Sequence, residues 1–291
     1  MPRPTKRRRE KRVVAIRRTL TDTPLARQHE HVLRGDATHM RSAIPWDRFV
    51  RSKYPAPALA LATDAQRMLA TGEYGAVDVF ARLAAALATN GAPFDLVAAA
   101  ARIPSDEIRH ADYAIRMASL TAGEDVVLDF DRNNFEKRWE RPIEQGELDE
   151  LITEVSAIGE TLAGALLTAC MRVASDPVAK AVFKSLVADE VHHARLGWYY
   201  LVWRAPQWSR AERQRTADRA GDLVADAEVR FWHGRDAPRG SAKAARALGV
   251  LDSATQREIV RRAMELEIVP ALDALGLGAS HAWQRRRRGR A

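Results

Sequence analysis

Apolar positions in this chain recur at steps of three and four rather than two, and four segments hold that period strongly enough to predict helices. In the first, about 59–89, Leu69, Glu73, Val77, Phe80, Ala84 and Leu87 share one stripe, and Asn90-Gly91 followed by Pro93 marks its end. The second, about 94–120, aligns Ile103, Glu107, His110, Ala114 and Met117. Pro104 predicts a kink or a restart one turn before Glu107, with the risk of displacing it. The third, about 147–174, is apolar on nearly every side, and Glu160 is its only charge between Val155 and Met171, as in a buried helix. The fourth, from Pro177 to about Trp203, puts Val182, Leu186, Glu190, His193, Gly197 and Tyr200 on one stripe.

Beyond Pro206 two more amphipathic segments are predicted, about 209–232 and 253–275, separated by a Gly/Pro-containing stretch at 234–240. No strand-type alternation of useful length occurs, so the fold class is all-α. Residues 1–57 are polar and interrupted by Pro24, Pro45, Pro55 and Pro57, which predicts a basic, irregular extension. His29, His31 and His39 lie there without acidic or cysteine partners at ligand spacing. The polar stretch 121–146 is long enough to cross the length of a helix bundle. The chain therefore divides into the extension, a helical body at 58–205, and a C-terminal helical extension at 206–291.

Charge changes this picture only at the ends. Of the net +8, residues 1–18 (nine Lys/Arg against Glu10) and 285–290 (five Arg) carry +13, which leaves −5 for the rest. Such tails are expected to be mobile and solvated. They offer nucleic acid or acidic lipid a contact, a reading less favoured than solubility because the body shows no evident basic face. The single cysteine, Cys170, excludes an intrachain disulfide and reads as a small core residue. No apolar run without a charge reaches the roughly 18 residues of a membrane span, and a cytoplasmic location is expected.

Two hexapeptides carry the chemistry. Asp106-Glu-Ile-Arg-His-Ala and Asp189-Glu-Val-His-His-Ala repeat one pattern 83 residues apart, each on an apolar helical stripe. Residues three apart share a helix face, so Glu107 with His110, and Glu190 with His193, each present a carboxylate and an imidazole to one point. Core-facing carboxylates are costly unless neutralised or coordinated, and single ones, Glu73 and Glu160, stand on the other two stripes. Asp78 lies off the Glu73 stripe, His192 off the His193 stripe, and Arg172 or Lys180 is the alternative partner for Glu160. Tyr74, Tyr113, Tyr199 and Tyr200 read as packing residues before they read as redox residues. Four Glu and two His on four helices form a ligand set for two metal ions in a bundle core.

This ordered set resembles the ferritin-like di-iron carboxylate proteins over roughly 59–203, and its spacings, 34 residues from Glu73 to Glu107 and 30 from Glu160 to Glu190, each fit one antiparallel hairpin. The resemblance implies a ferritin-like four-helix bundle holding two Fe ions, with Mn or a mixed Mn/Fe pair as the alternative. Glu73 and Glu160 would be terminal ligands, Glu107 and Glu190 bridging ones, and His110 and His193 would bind one ion each. Asp106 and Asp189 would each hydrogen-bond the ligand histidine of the opposite motif. The activity implied is an oxidoreductase acting on a small organic substrate with O2 or peroxide and an electron donor. A ferroxidase or iron-storage protein and a tRNA-modifying di-iron hydroxylase are the alternatives.

Overall fold

The structure, a computed structural model, describes residues 23–25, 27, 44–128, 142–231 and 236–286. Among them every regular element is helical. The histidines at 29, 31 and 39, the basic run 1–18, and most of the C-terminal arginines lie outside the described residues.

Four long helices form the centre. α1 (Ala56–Thr89) and α2 (Phe94–Ala122) are joined by a tight turn in which Gly91 takes φ 74°, so they run antiparallel and pack along their whole length. α3 (Gln145–Val173) and α4 (Pro177–Arg204) make a second such pair, and the two pairs meet where α2 crosses α4. Asp176 caps α4 by accepting from the backbone N–H groups of Val178 and Ala179 at 2.9 and 3.0 Å, and it also accepts from Tyr54 Oη at 2.7 Å. That last bond ties the segment before α1, with its short turns Trp46–Arg48 and Arg51–Lys53, to the start of α4.

The expected helix boundaries differ from the observed ones by three residues or fewer, but two internal features were not foreseen. α2 runs on through Pro104 as one helix, so there is no restart, and Glu107 stays fully buried on its inner face, so the risk of displacing it is not realised. α3 is not uniformly α-helical: Thr153–Gly159 is a π-helical segment in which the Glu160 backbone N–H donates to Val155 five residues back. The extra residue in that turn resets the direction of everything that follows, beginning with Glu160. The π segment also fits its neighbour. Gly197 of α4 lies against it so closely that a Cβ there would come within 2.3 Å of the Ala157 nitrogen, and Ser156 Oγ donates to the His193 carbonyl at 2.6 Å.

By length and composition α3 could cross a bilayer. Here its large apolar residues, Leu148, Ile152, Ile158 and Leu162, are buried in the main hydrophobic cluster with Phe80, Leu196 and Tyr200. The C-terminal helices cover it. α5 (Arg210–Arg230) packs on the N-terminal end of α3 and against α8 (Ala279–Gln284), while the short α6 (Ala242–Ala247) touches α1 and α3. α7 begins as Ser253–Ala263, passes through a π-helical Met264–Ile268, and ends as Val269–Ala274, with Pro270 in its last section. It lies along the outer side of α3. Arg286 pairs with Glu228 at 2.7 Å and lies 4.0 Å over the Trp283 ring, so the arginine run expected to be mobile from 285 onward is packed at its start.

Candidate metal centre

The inner stripes of α1 to α4 converge on one polar cluster. α2 supplies Glu107 and His110, both fully buried, and α4 supplies Glu190 and His193, 2% and 0% exposed. Glu73 of α1 closes one side at 9% exposure, and Glu160 of α3, half-buried, closes the other. Two groupings bring ligand atoms within 4.8 Å of one another: Glu73, Glu107 and His110 in one, and Glu107, Glu160 and His193 in the other, so Glu107 belongs to both. Glu190 lies between them, its Oε1 3.3 Å from His110 Nδ1 and its Oε2 3.6 Å from His193 Nδ1. His193 Nδ1 is 3.0 Å from Glu107 Oε1, and His110 Nδ1 is 3.5 Å from Glu107 Oε2 and 3.8 Å from Glu73.

Both imidazoles turn Nδ1 inward and Nε2 outward, and the outward nitrogens cross between motifs. His110 Nε2 lies 3.1 Å from Asp189 Oδ2, and His193 Nε2 lies 3.5 Å from Asp106 Oδ2. An aspartate at Nε2 holds the proton on that nitrogen and leaves Nδ1 with a free lone pair for a metal. Arg109 was missed in the sequence. Its guanidinium donates to Asp106 at 2.5 Å and to Asp189 at 2.8 Å, which links the two aspartates, and with His193 it holds the Asp106 carboxyl below the usual carboxylate range despite burial. The available signal was its place immediately before the ligand histidine of the first hexapeptide, where the second has His192.

The rejected candidates sit elsewhere. Asp78 is held by Arg82 at 2.9 Å on the outer side of α1. His192 is half-buried outside the cluster, and burial together with Arg195 lowers its pKa. Glu160 forms no ion pair with Arg172 or Lys180 among the described residues. Cys170 is half-buried against the second apolar cluster, where burial pushes its thiol up to about 12.

The cluster's hydrogen bonds do not close. Both oxygens of Glu107, Oε2 of Glu190, and Nδ1 of both His110 and His193 are buried without a hydrogen-bond partner, all on the inward side. A buried polar atom left unpaired costs about 1–3 kcal/mol, so five converging on one point need a common partner. Titration points the same way. Burial, reinforced by neighbouring carboxylates, holds Glu73 and Glu160 well above the usual carboxylate range. Burial also opposes charge on His110 and His193, but surrounding carboxylates outweigh it and raise both. Glu107 and Glu190, between the imidazoles, are lowered despite burial. Without metal, protons held on the raised carboxyls and imidazoles offset the negative charge of the cluster. Two divalent cations would balance the four carboxylates, so the donor set fits a pair of them without leaving net charge in the core.

A cavity of about 1120 Å³ opens beside the cluster between α3, α4 and α7, with Glu160 and Glu190 in its wall. On α3 the cavity face is Thr161, Gly164, Ala165 and Thr168, whose small side chains leave the space unfilled, and Thr161 Oγ1 accepts from Trp198 Nε1 at 3.0 Å. The chain matches no family model, no curated protein and no solved structure.

Proposed function

We propose that Glu73, Glu107, His110, Glu160, Glu190 and His193 hold two metal ions in a ferritin-like bundle, and that the protein is a di-metal oxidoreductase acting on a small organic substrate. The observation that carries this reading is the convergence of five unpaired buried donor atoms from four of those residues, with the other two, Glu73 and Glu160, within coordination reach. Four carboxylates and only two imidazoles favour iron or manganese over zinc or copper. An iron pair bound there would supply the redox equivalents needed to reduce O2 or a peroxide. The chain's own residues set the conditions. Asp106 and Asp189 orient the imidazoles, and Arg109 holds both aspartates. The apolar packing of Phe80 at 6.1 Å from the His193 ring keeps water from the inner side. Glu160, half-buried where the others are enclosed, faces the cavity, so a substrate there would approach the site on the Glu160–Glu190 side. The cavity favours an organic substrate over iron storage, which needs no pocket of this size.

Elemental analysis of full-length protein expressed with ample iron should give about two Fe or Mn per chain. A content below half an ion per chain overturns the reading. Oxygen uptake by the reduced, loaded protein, absent from Glu107→Gln, tests the redox half of the proposal.

A further inference from the structure

We infer that the cavity between α3, α4 and α7 binds an organic acid, its apolar body along the small-residue face of α3 and its anionic group against arginines at the rim. This deepens the oxidoreductase reading and rests on it for the word substrate, though not for binding. Three observations carry the inference. The cavity, about 1120 Å³, is large enough for a ligand of drug size. Its inner wall includes Glu160 and Glu190 of the proposed metal cluster, so a ligand seated there abuts that cluster.

Its rim is amphiphilic. Val191 and Leu266 line it while 44% and 65% exposed, which leaves apolar surface facing the opening. Arg172, Arg195 and Arg262, from three different helices, line it too, and all are exposed and form no ion pair with a described residue. Of the four acids that line the cavity, Glu160 and Glu190 belong to the proposed metal cluster and Glu258 is taken by Arg261 at 2.6 Å, which leaves Glu267 against three cations at the rim. A neutral or cationic ligand would gain nothing from that balance, whereas a carboxylate or phosphate gains charge-assisted hydrogen bonds. Arg195 stands five residues beyond Glu190, about 7.5 Å along the axis, and Arg172 stands twelve beyond Glu160, about 18 Å. Which arginine holds the acid therefore reports the length of the ligand.

The test is displacement of anilinonaphthalene sulfonate fluorescence from the metal-loaded full chain by four matched eight-carbon probes: octanoate, octyl phosphate, octanol and octylamine. Octanoate or octyl phosphate should displace the dye at least tenfold more effectively than octanol or octylamine, and the better of the two names the acid. At least one of Arg172→Gln, Arg195→Gln and Arg262→Gln should reduce that preference to nothing while leaving octanol unchanged. Thr168→Trp, which fills the cavity two turns from Glu160, should weaken all four. Equal displacement by octanol and octanoate overturns the inference, as does a preference for octylamine or a preference untouched by every arginine variant. Metal content measured on the same samples separates the two claims. Selective acid binding by a chain that takes up no metal sinks the oxidoreductase and keeps the pocket, and two ions without acid selectivity does the reverse.

Discussion

α3 and α4 carry two buried polar clusters, and they differ in what completes them. Towards one end Asp149, fully buried, accepts from Tyr200 Oη at 2.5 Å, Trp208 Nε1 at 2.9 Å and Gln145 Nε2 at 3.1 Å, with Arg204 Nε 3.3 Å away. Neither Asp149 oxygen is left over, and the unpaired atom of this cluster, Arg204 Nε, faces Asp149 itself. Two to three turns away on the same helix pair, Glu160, Glu190 and His193 join the cluster whose inward atoms have no partner. Burial opposes ionisation in both, raising Asp149 as it raises Glu160, so burial alone does not separate them. Closure does. A polar cluster whose acceptors are all met holds helices together, whereas one that stops short with its free atoms aimed inward is what the proposed metal pair would complete.

The hardest test of that contrast is Asp149→Ala. It leaves the Trp208 N–H and the Tyr200 O–H without an acceptor and Arg204 with Glu212 as its remaining partner, and breaking such a buried partnership costs about 3–5 kcal/mol. At about 2–4 °C per kcal/mol for a chain of this size, the melting temperature should fall by roughly 10 °C, with metal content per folded chain unchanged. Loss of metal without loss of stability would show that the two clusters had been assigned the wrong way round.

Gly197→Ala attacks the join between them. The added methyl would meet the Ala157 backbone of the π segment, where no flexible side chain can yield, and overpacking of this kind costs about 1–3 kcal/mol. Because the π segment ends at Glu160, the variant should also weaken metal binding, measured by competition with a chelator. A stability loss with unaltered affinity would mean that the π segment does not set the Glu160 position.

Much of this was legible in the sequence, and the exceptions have physical reasons. Stripes at period 3.6 placed Glu73, Glu107, His110, Glu160, Glu190 and His193 on inner faces, because a side chain's direction in an α-helix follows from counting. Counting fails at a π turn, which a single added residue creates; Thr153, Ser156 and Gly159, small or hydroxylated residues within an apolar run, were the only hint. Arg109 and Asp149 were invisible for another reason. Both act across helices, and a partner distant in the chain leaves no local period. Asp149 stands among Glu144, Glu147 and Glu150, with nothing local to single it out.

Arg109→Met separates positioning from ligation. It removes the cation shared by Asp106 and Asp189 while leaving all six inward ligands, so two ions should still bind at saturating metal. Affinity should fall about 10- to 100-fold, as is usual when an outer partner of a ligand is removed. Arg109→Lys, which keeps the charge and loses the fork, should recover only part. Stoichiometry falling to zero in the methionine variant would make Arg109 structural, on the Asp149 side of the comparison.

Glu160→Ala should empty one of the two positions yet raise the melting temperature of the metal-free protein by a few degrees. The deletion removes a half-buried carboxyl that in the metal-free protein has no cation beside it and puts a strong helix former in its place, a gain of about 1 kcal/mol. Helicity lost from the metal-free variant would reveal a structural partner for Glu160.

The smallest effect is the pH dependence of the difference between metal-loaded and metal-free protein. Glu73 and Glu160 are raised above their ordinary 4.5, and His110 and His193 above 6.5. Between pH 5 and 8 the unfolded chain therefore releases protons that the metal-free fold retains. A group with a raised folded pKa stabilises fully below its unfolded value and loses that contribution as pH rises, so these four make the metal-free fold less stable across this window. Metal binding reverses the sign, because the cations displace those protons and bind more tightly as pH rises. The gap between the two melting temperatures should thus widen steadily from pH 5 to pH 8, and direct titration at neutral pH should detect proton release on loading. The Asp149 cluster keeps its protons in both forms and cancels from the difference. A gap that stays constant with pH would mean that the cluster does not exchange protons for cations, and the charge balance inferred for the six residues would fail with it.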